Sequence, residues 1–158
     1  MRILLIYIAA ILFASTSLAE STTKTPYYAT IKADEANIRT GPSVRYPIQW
    51  VYTKPNWPIQ VLATFERWRK IKDINGEIGW AHESLLSGRR NVILNTEGVQ
   101  EIFRLPIPSS TIVLIAEKGV VAELISCKSN WCKIEHSGKK GWIESKHLWG
   151  VDKDEVVK

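Results

Sequence analysis

Apolar positions along this chain fall into two regimes. From Ile3 to Ala14 they form one nearly continuous run; farther on they come in short segments that end on turn formers. Ile59, Val61 and Ala63 alternate with other side chains, and Trp68 and Ile71 precede Asn75-Gly76. Alternation with period two puts one set of side chains on one face of a strand, and Asn-Gly is a strong signal for a two-residue hairpin turn. Prolines at 42, 47, 55, 58, 106 and 108 interrupt at spacings too short for long helices, and the apolar residues are often β-branched. The pattern predicts short strands joined by tight turns.

The same pattern occurs twice. Trp68-Arg-Lys-Ile71, Asn75-Gly76, Gly79-Trp80 and Leu86 match Trp131-Cys-Lys-Ile134, Ser137-Gly138, Gly141-Trp142 and Leu148. The offset is 63 residues between Trp68 and Trp131 and 62 between Trp80 and Trp142, so one residue is lost from the intervening turn. Upstream, Trp57-Pro-Ile-Gln-Val-Leu62 lies opposite Val120-Val-Ala-Glu-Leu124 in the same register. Two copies of one small strand unit are expected, each closing into a compact barrel. Units of this size bury little surface alone, so packing of one against the other is expected as well.

A more specific resemblance rests on an ordered series: Ala36-Asn-Ile-Arg-Thr-Gly-Pro-Ser43, Tyr46-Pro-Ile48, Trp68, Gly79-Trp80 and Leu85-Leu86. Over residues 28–90 the chain resembles a bacterial SH3-like (SH3b) domain. The second copy starts with the diverged Glu101-Ile-Phe-Arg-Leu-Pro106 and regains the pattern at Trp131, Gly141-Trp-Ile and Leu148-Trp-Gly150. The whole chain is similar to exported tandem-SH3 proteins common in alphaproteobacteria. The resemblance implies an all-β protein of two tandem small SH3-like β-barrels, at 28–90 and 95–150, that binds or scaffolds and performs no catalysis. The charged tail 151–158 lacks periodicity and is expected to be flexible.

The N-terminal run changes the picture of where such a protein works. Arg2, the apolar stretch and Ser17-Leu18-Ala19 before Glu20 have the layout of a secretory signal peptide. Residues 1–19 are therefore expected to be removed, with 20–27 as a linker, giving a protein exported across the inner membrane to the periplasm. A spanning anchor needs about 20 apolar residues, and stable membrane insertion after cleavage is not expected. No cysteine follows the cleavage site, which excludes lipid attachment there. The formal charge of +5 comes from 21 basic and 16 acidic residues. These basic residues form no stripe, and export removes nucleic acid from reach, so a nucleic-acid partner is excluded. Peptidoglycan or an envelope protein is the expected partner.

Aromatic residues without a counterpart in the other copy are the candidates for binding it. Tyr46, Trp50, Tyr52 and Trp57 have no aromatic equivalent in the second copy, whereas Trp68, Trp80, Trp131 and Trp142 recur and are expected to pack in the core or at its rim. With Arg39 and Arg45, the unpaired aromatics would suit an anionic, partly apolar or sugar-like ligand, because guanidinium groups take carboxylates and rings stack on faces. The competing reading is that they only cover the barrel and its seam. Cationic Arg39 and Arg45, and the lack of an Ala-Leu-Tyr-Asp-Tyr run, argue against proline-rich peptides at these loops.

Cys127 and Cys132, the two cysteines, flank Trp131 close to His136. Four residues separate them, unlike the Cys-x-x-Cys of a redox site. Zinc would need further ligands, and only His136 is near in sequence, His82 and His147 lying in other segments. A Cys–His nucleophile would lack an oxyanion-hole motif. A disulfide across a hairpin fits an oxidising compartment best. Thr64 and Arg69 hold the corresponding positions of the first copy. No catalytic residue, metal or cofactor is expected.

Overall fold

A computed structural model describes residues 24–158. The expected signal peptide and the first residues of the expected linker lie outside them. The chain forms two seven-stranded antiparallel sheets. The first contains β1 (Tyr27–Ile31), β2 (Ala36–Arg39), β3 (Ile48–Tyr52), β4 (Trp57–Phe65), β5 (Trp68–Lys72), β6 (Ile78–His82) and β7 (Leu86–Ser87), in the order β3-β2-β6-β5-β4-β1-β7. The second contains β8 (Asn91–Leu94), β9 (Val99–Phe103), β10 (Ile112–Glu117), β11 (Val121–Lys128), β12 (Trp131–His136), β13 (Lys139–Glu144) and β14 (Leu148–Trp149). Its order, β10-β9-β13-β12-β11-β8-β14, is the first order translated by seven strands. A single-turn 3-10 helix precedes the last strand in each, at Glu83–Leu85 and Ser145–His147. The all-β class and the two tandem units are thus as the sequence indicates.

The repeat extends to local irregularities. β4 slips register against β5 between Val61 and Ala63, and β11 slips against β12 between Leu124 and Ser126, the positions that match by the sequence offset. Such bulges bend a strand, which a small sheet needs in order to close on itself. Each unit has its own core, one around Ile31, Ile38, Ile59, Val61 and Ile71 and the other around Val92, Leu94, Ile102, Ile134 and Ile143. The glycine before each late tryptophan exists for space. A Cβ on Gly79 would lie 2.4 Å from Ile38 Cγ2, and one on Gly141 would lie 2.5 Å from Ile102 Cγ2.

Three expectations need correction. The turn at Asn75-Gly76 is not a two-residue hairpin, since Lys72 pairs with Ile78 and five residues, 73–77, form the loop. Asp73 is the reason: its buried Oδ1 accepts hydrogen bonds from the amides of Asn75 and Glu77, each at 2.9 Å, and props the loop open. Only the second copy turns in two residues, with φ of 50° at Ser137 and 75° at Gly138 between His136 and Lys139. The second sheet starts at Asn91, ahead of residue 95, because β8 is buried between β11 and β14 as β1 is between β4 and β7.

The tail is not free. Val151 is buried, Glu155 pairs with Arg90 at 2.7 Å, and Val157 exchanges two backbone hydrogen bonds with Cys127. The tail has no period, yet Val151, Glu155 and Val157 each find a partner. The same segment closes the seam between the units. Arg90 lies over the Tyr28 ring at 5.5 Å and donates to the Gly150 carbonyl at 2.8 Å, and Tyr28 meets Trp149 edge to face at 5.5 Å. Buried Asn91 adds a hydrogen bond from Nδ2 to the Asn56 carbonyl, 2.7 Å across the seam.

Candidate functional site

The β2–β3 hairpin tip, residues 40–47, carries three of the six candidate residues or their support. Thr40 and Pro47 close its neck by a backbone hydrogen bond, and Ser43 and Tyr46 close its end. Arg39 commits one nitrogen of its guanidinium to its own hairpin. Its Nη1 donates to the carbonyls of Val44 at 3.2 Å and Tyr46 at 2.8 Å and fixes the tip from within. Gly41 lets the Tyr46 ring lie against the backbone, since a Cβ there would sit 2.6 Å from the ring. Arg45 and Tyr46 remain exposed at the end of this braced loop.

The other three candidates sit differently. Trp50 and Tyr52 cross edge to face with centroids 6.3 Å apart, and with Trp57 they pack against the first core. Tyr52 also donates its hydroxyl to Asp73 Oδ2 at 3.2 Å. Burial and then the Asp73 charge push its phenol well above the usual tyrosine range. Trp57 follows Asn56, the residue that meets Asn91 at the seam, and its Nε1 is buried without a hydrogen-bond partner. The six therefore divide into a presented pair, Arg45 and Tyr46, a brace, Arg39, and three rings held on the barrel.

The second unit keeps this hairpin with different side chains. Arg104 bonds to Thr111, Ile107 to Leu105 and Ser110 to Ile107, reproducing the backbone bonds of Thr40, Ser43 and Tyr46 residue for residue. Pro106 therefore takes the place of Pro42, in the register that sets Glu101–Pro106 against Asn37–Pro42 in the sequence. Beside this hairpin lies a cleft of about 310 Å³, lined by Glu101, Phe103, Pro108, Trp131, Glu144 and His147 among others. Phe103 and Trp131 cross at 74° with centroids 6.1 Å apart. Burial, and secondarily the Lys146 charge, hold the His147 imidazole below its ordinary range, favouring its neutral form.

Cys127 and Cys132 form a disulfide, and no free cysteine exists among the described residues. His136 Nδ1 donates to the Val121 carbonyl at 2.8 Å. The sulfurs thus offer neither a thiolate nucleophile nor a metal ligand while the bridge is intact.

The family model of the bacterial SH3 domain matches the chain twice, over residues 32–88 and 97–150. The chain belongs to the bacterial SH3 domain family. Domains of this family are typically wall-binding modules and are not catalytic by themselves. A curated relative, the putative N-acetylmuramoyl-L-alanine amidase YrvJ of Bacillus subtilis (strain 168), is 26% identical over 130 residues, which is 76% of this chain and 25% of that protein. The solved structures of NlpC1 and NlpC2 from Trichomonas vaginalis align with TM-scores of 0.37 at 14% identity. They cover 82% and 84% of this chain, which spans 48% and 52% of theirs. The bacterial SH3 chain thus spans about a quarter of the curated relative and about half of the solved structures.

Proposed function

We propose that this bacterial SH3 protein is a non-catalytic binding module of the cell envelope, working in the periplasm and recognising peptidoglycan or wall-associated components. The observation that carries this reading is the braced hairpin tip of the first unit. Arg39 spends its Nη1 on holding the loop, and Arg45 and Tyr46 then present a guanidinium and a ring to solvent with the backbone beneath them already ordered. A guanidinium beside a ring suits carboxylates and sugar faces, both abundant in wall polymer. Membership of a family whose domains typically bind the wall, and the amidase named among its relatives, support the same substrate class. Cosedimentation with purified sacculi tests it: retention that falls on Arg45→Ala and Tyr46→Ala supports the reading, and no retention of the parent protein rejects it.

A second reading, a periplasmic scaffold for another protein, is favoured by one feature. Leu105, Ile107, Ile112 and Ile115 expose apolar surface around the second hairpin, Leu105 by 54% and Ile115 by 57%. Crosslinking in intact cells should then recover one dominant protein partner; recovery of none counts against it.

A further inference from the structure

The repeated tryptophan has two fates in the two copies. Trp68 is 9% exposed, sealed by His82, whose ring crosses it at 5.3 Å. Trp131 is only partly buried and opens on the cleft it shares with Phe103. Strand register identifies what changed. Arg39 and Phe103 hold equivalent places, each paired with the late tryptophan of its unit, Trp80 or Trp142. His82 and Glu144 are equivalent in the same way, each paired with the repeated tryptophan. Two residues upstream of the first pair stand Asn37 and Glu101. Where the first unit carries Asn, Arg and His around a closed ring, the second carries Glu, Phe and Glu around an open one.

We propose that the Trp131 cleft is a second ligand site, selective for a primary ammonium carried by a wall peptide. It deepens the wall-binding reading, on which the peptide source rests, by naming the group recognised. The volume, about 310 Å³, falls at the lower end of small-ligand sites. Crossed aromatic rings attract a cation through their electron-rich faces, and a carboxylate at the rim gives it a charge partner. Glu144 is already held by Lys146 at 2.6 Å, so Glu101, which has no ion-pair partner among the described residues, is the group that receives the ligand. His147, favoured in its neutral form and set against Thr96 Oγ1 at 3.0 Å, does not supply a competing charge. The formal charge of the whole chain, +5, repels cations, so attraction of an ammonium here must be local.

The test uses the full exported chain, labelled with nitrogen-15, and two soluble probes: a wall-type stem peptide bearing a free side-chain amine, and the same peptide with that amine acetylated. The free amine should shift the Trp131 indole N–H signal saturably, and the acetylated peptide should not. Glu101→Gln, an exposed and isosteric change, should weaken binding roughly tenfold. Phe103→Arg, which installs the first unit's residue, should abolish it while leaving the signals of the first unit in place. Equal shifts with both peptides, no shift at Trp131, or an unchanged affinity in Glu101→Gln overturns the proposal. Sacculus retention without a Trp131 shift would leave wall binding standing and reject this site. A Trp131 shift without sacculus retention would keep the site and reject the wall as its source.

Discussion

Cys127 and Cys132 stand directly opposite each other on β11 and β12, with Cα atoms 4.1 Å apart, at the register positions that Thr64 and Arg69 hold in the first unit. Cys127 points its backbone groups away from β12, to Val157, so the sulfurs bridge a non-hydrogen-bonded pair, where side chains lie closest. One residue thus joins the hairpin covalently and anchors the tail. The bridge is a local addition to a fold that closes without it in the first copy.

Removing it should be felt in the second unit only. A Cys127→Ser, Cys132→Ser double variant is expected to lose about 2 kcal/mol of stability, the chain-entropy value for so short a loop. Thermal unfolding with and without reductant checks this. The parent should move toward the variant on reduction, and the variant should be indifferent to reductant.

The loop at Asp73 should be more sensitive than its surface position suggests. Asp73 is 3% exposed and serves two amides and the Tyr52 hydroxyl. Asp73→Ala leaves those donors without a partner and is expected to cost about 2 to 3 kcal/mol. Tyr52→Phe removes one bond and should cost about 1 kcal/mol. Because the Tyr52 phenol is raised, its contribution is complete below the ordinary tyrosine range, about pH 10, and is lost as pH rises through the folded value. Urea unfolding at neutral and strongly alkaline pH should show that loss in the parent, and Tyr52→Phe should remove it.

Glycine replacements separate the two units by what lies above each. A Cβ at position 141 meets Ile102, Val113 and the Phe103 carbonyl at 2.9 Å, whereas at 79 the nearest backbone atom is 3.3 Å away. Gly141→Ala is expected to cost about 2 to 3 kcal/mol and Gly79→Ala about 1 to 2, since side chains yield more readily than backbone. Chemical denaturation ranks them, and the reverse order contradicts the packing described.

The tail should behave as an acid-sensitive latch. Burial alone would raise the Glu155 carboxyl, but hydrogen bonds from Arg90 and the Asp152 amide, with the Arg90 charge, hold it below its ordinary range. A depressed carboxyl stabilises above its unfolded value, about pH 4, and that contribution is lost as pH falls through the folded one. The protection factor of the Cys127 amide, its exchange rate divided into the intrinsic rate at the same pH, should therefore fall in acid, and Glu155→Gln should lower it already at neutral pH.

How far these features were legible in the sequence depends on what kind of signal each leaves. Tryptophans, glycines and turn residues at a fixed offset are set by backbone geometry, so the repeat, the strand class and even the Thr64–Arg69 counterpart of the disulfide could be read directly. Partnerships over long sequence separations could not. Arg90 with Glu155 and Asn56 with Asn91 carry no local pattern, and the tail's docking went unseen for that reason. Arg39 shows a third case. An arginine near aromatics reads as a ligand contact, yet its own hairpin supplies two carbonyls first. The Trp131 cleft escaped because attention to unmatched aromatics favours the first copy, whereas there a matched tryptophan is uncovered by a change in its neighbours.

Wall binding through the braced tip is tested most directly by a cosedimentation isotherm on purified sacculi at physiological ionic strength. The account predicts saturable retention of the parent protein and, for the Arg45→Ala, Tyr46→Ala double variant, folded as judged by unchanged thermal unfolding, binding about tenfold weaker. Retention of the parent no greater than that of an unrelated exported protein, or a double variant that binds as well as the parent, would contradict it.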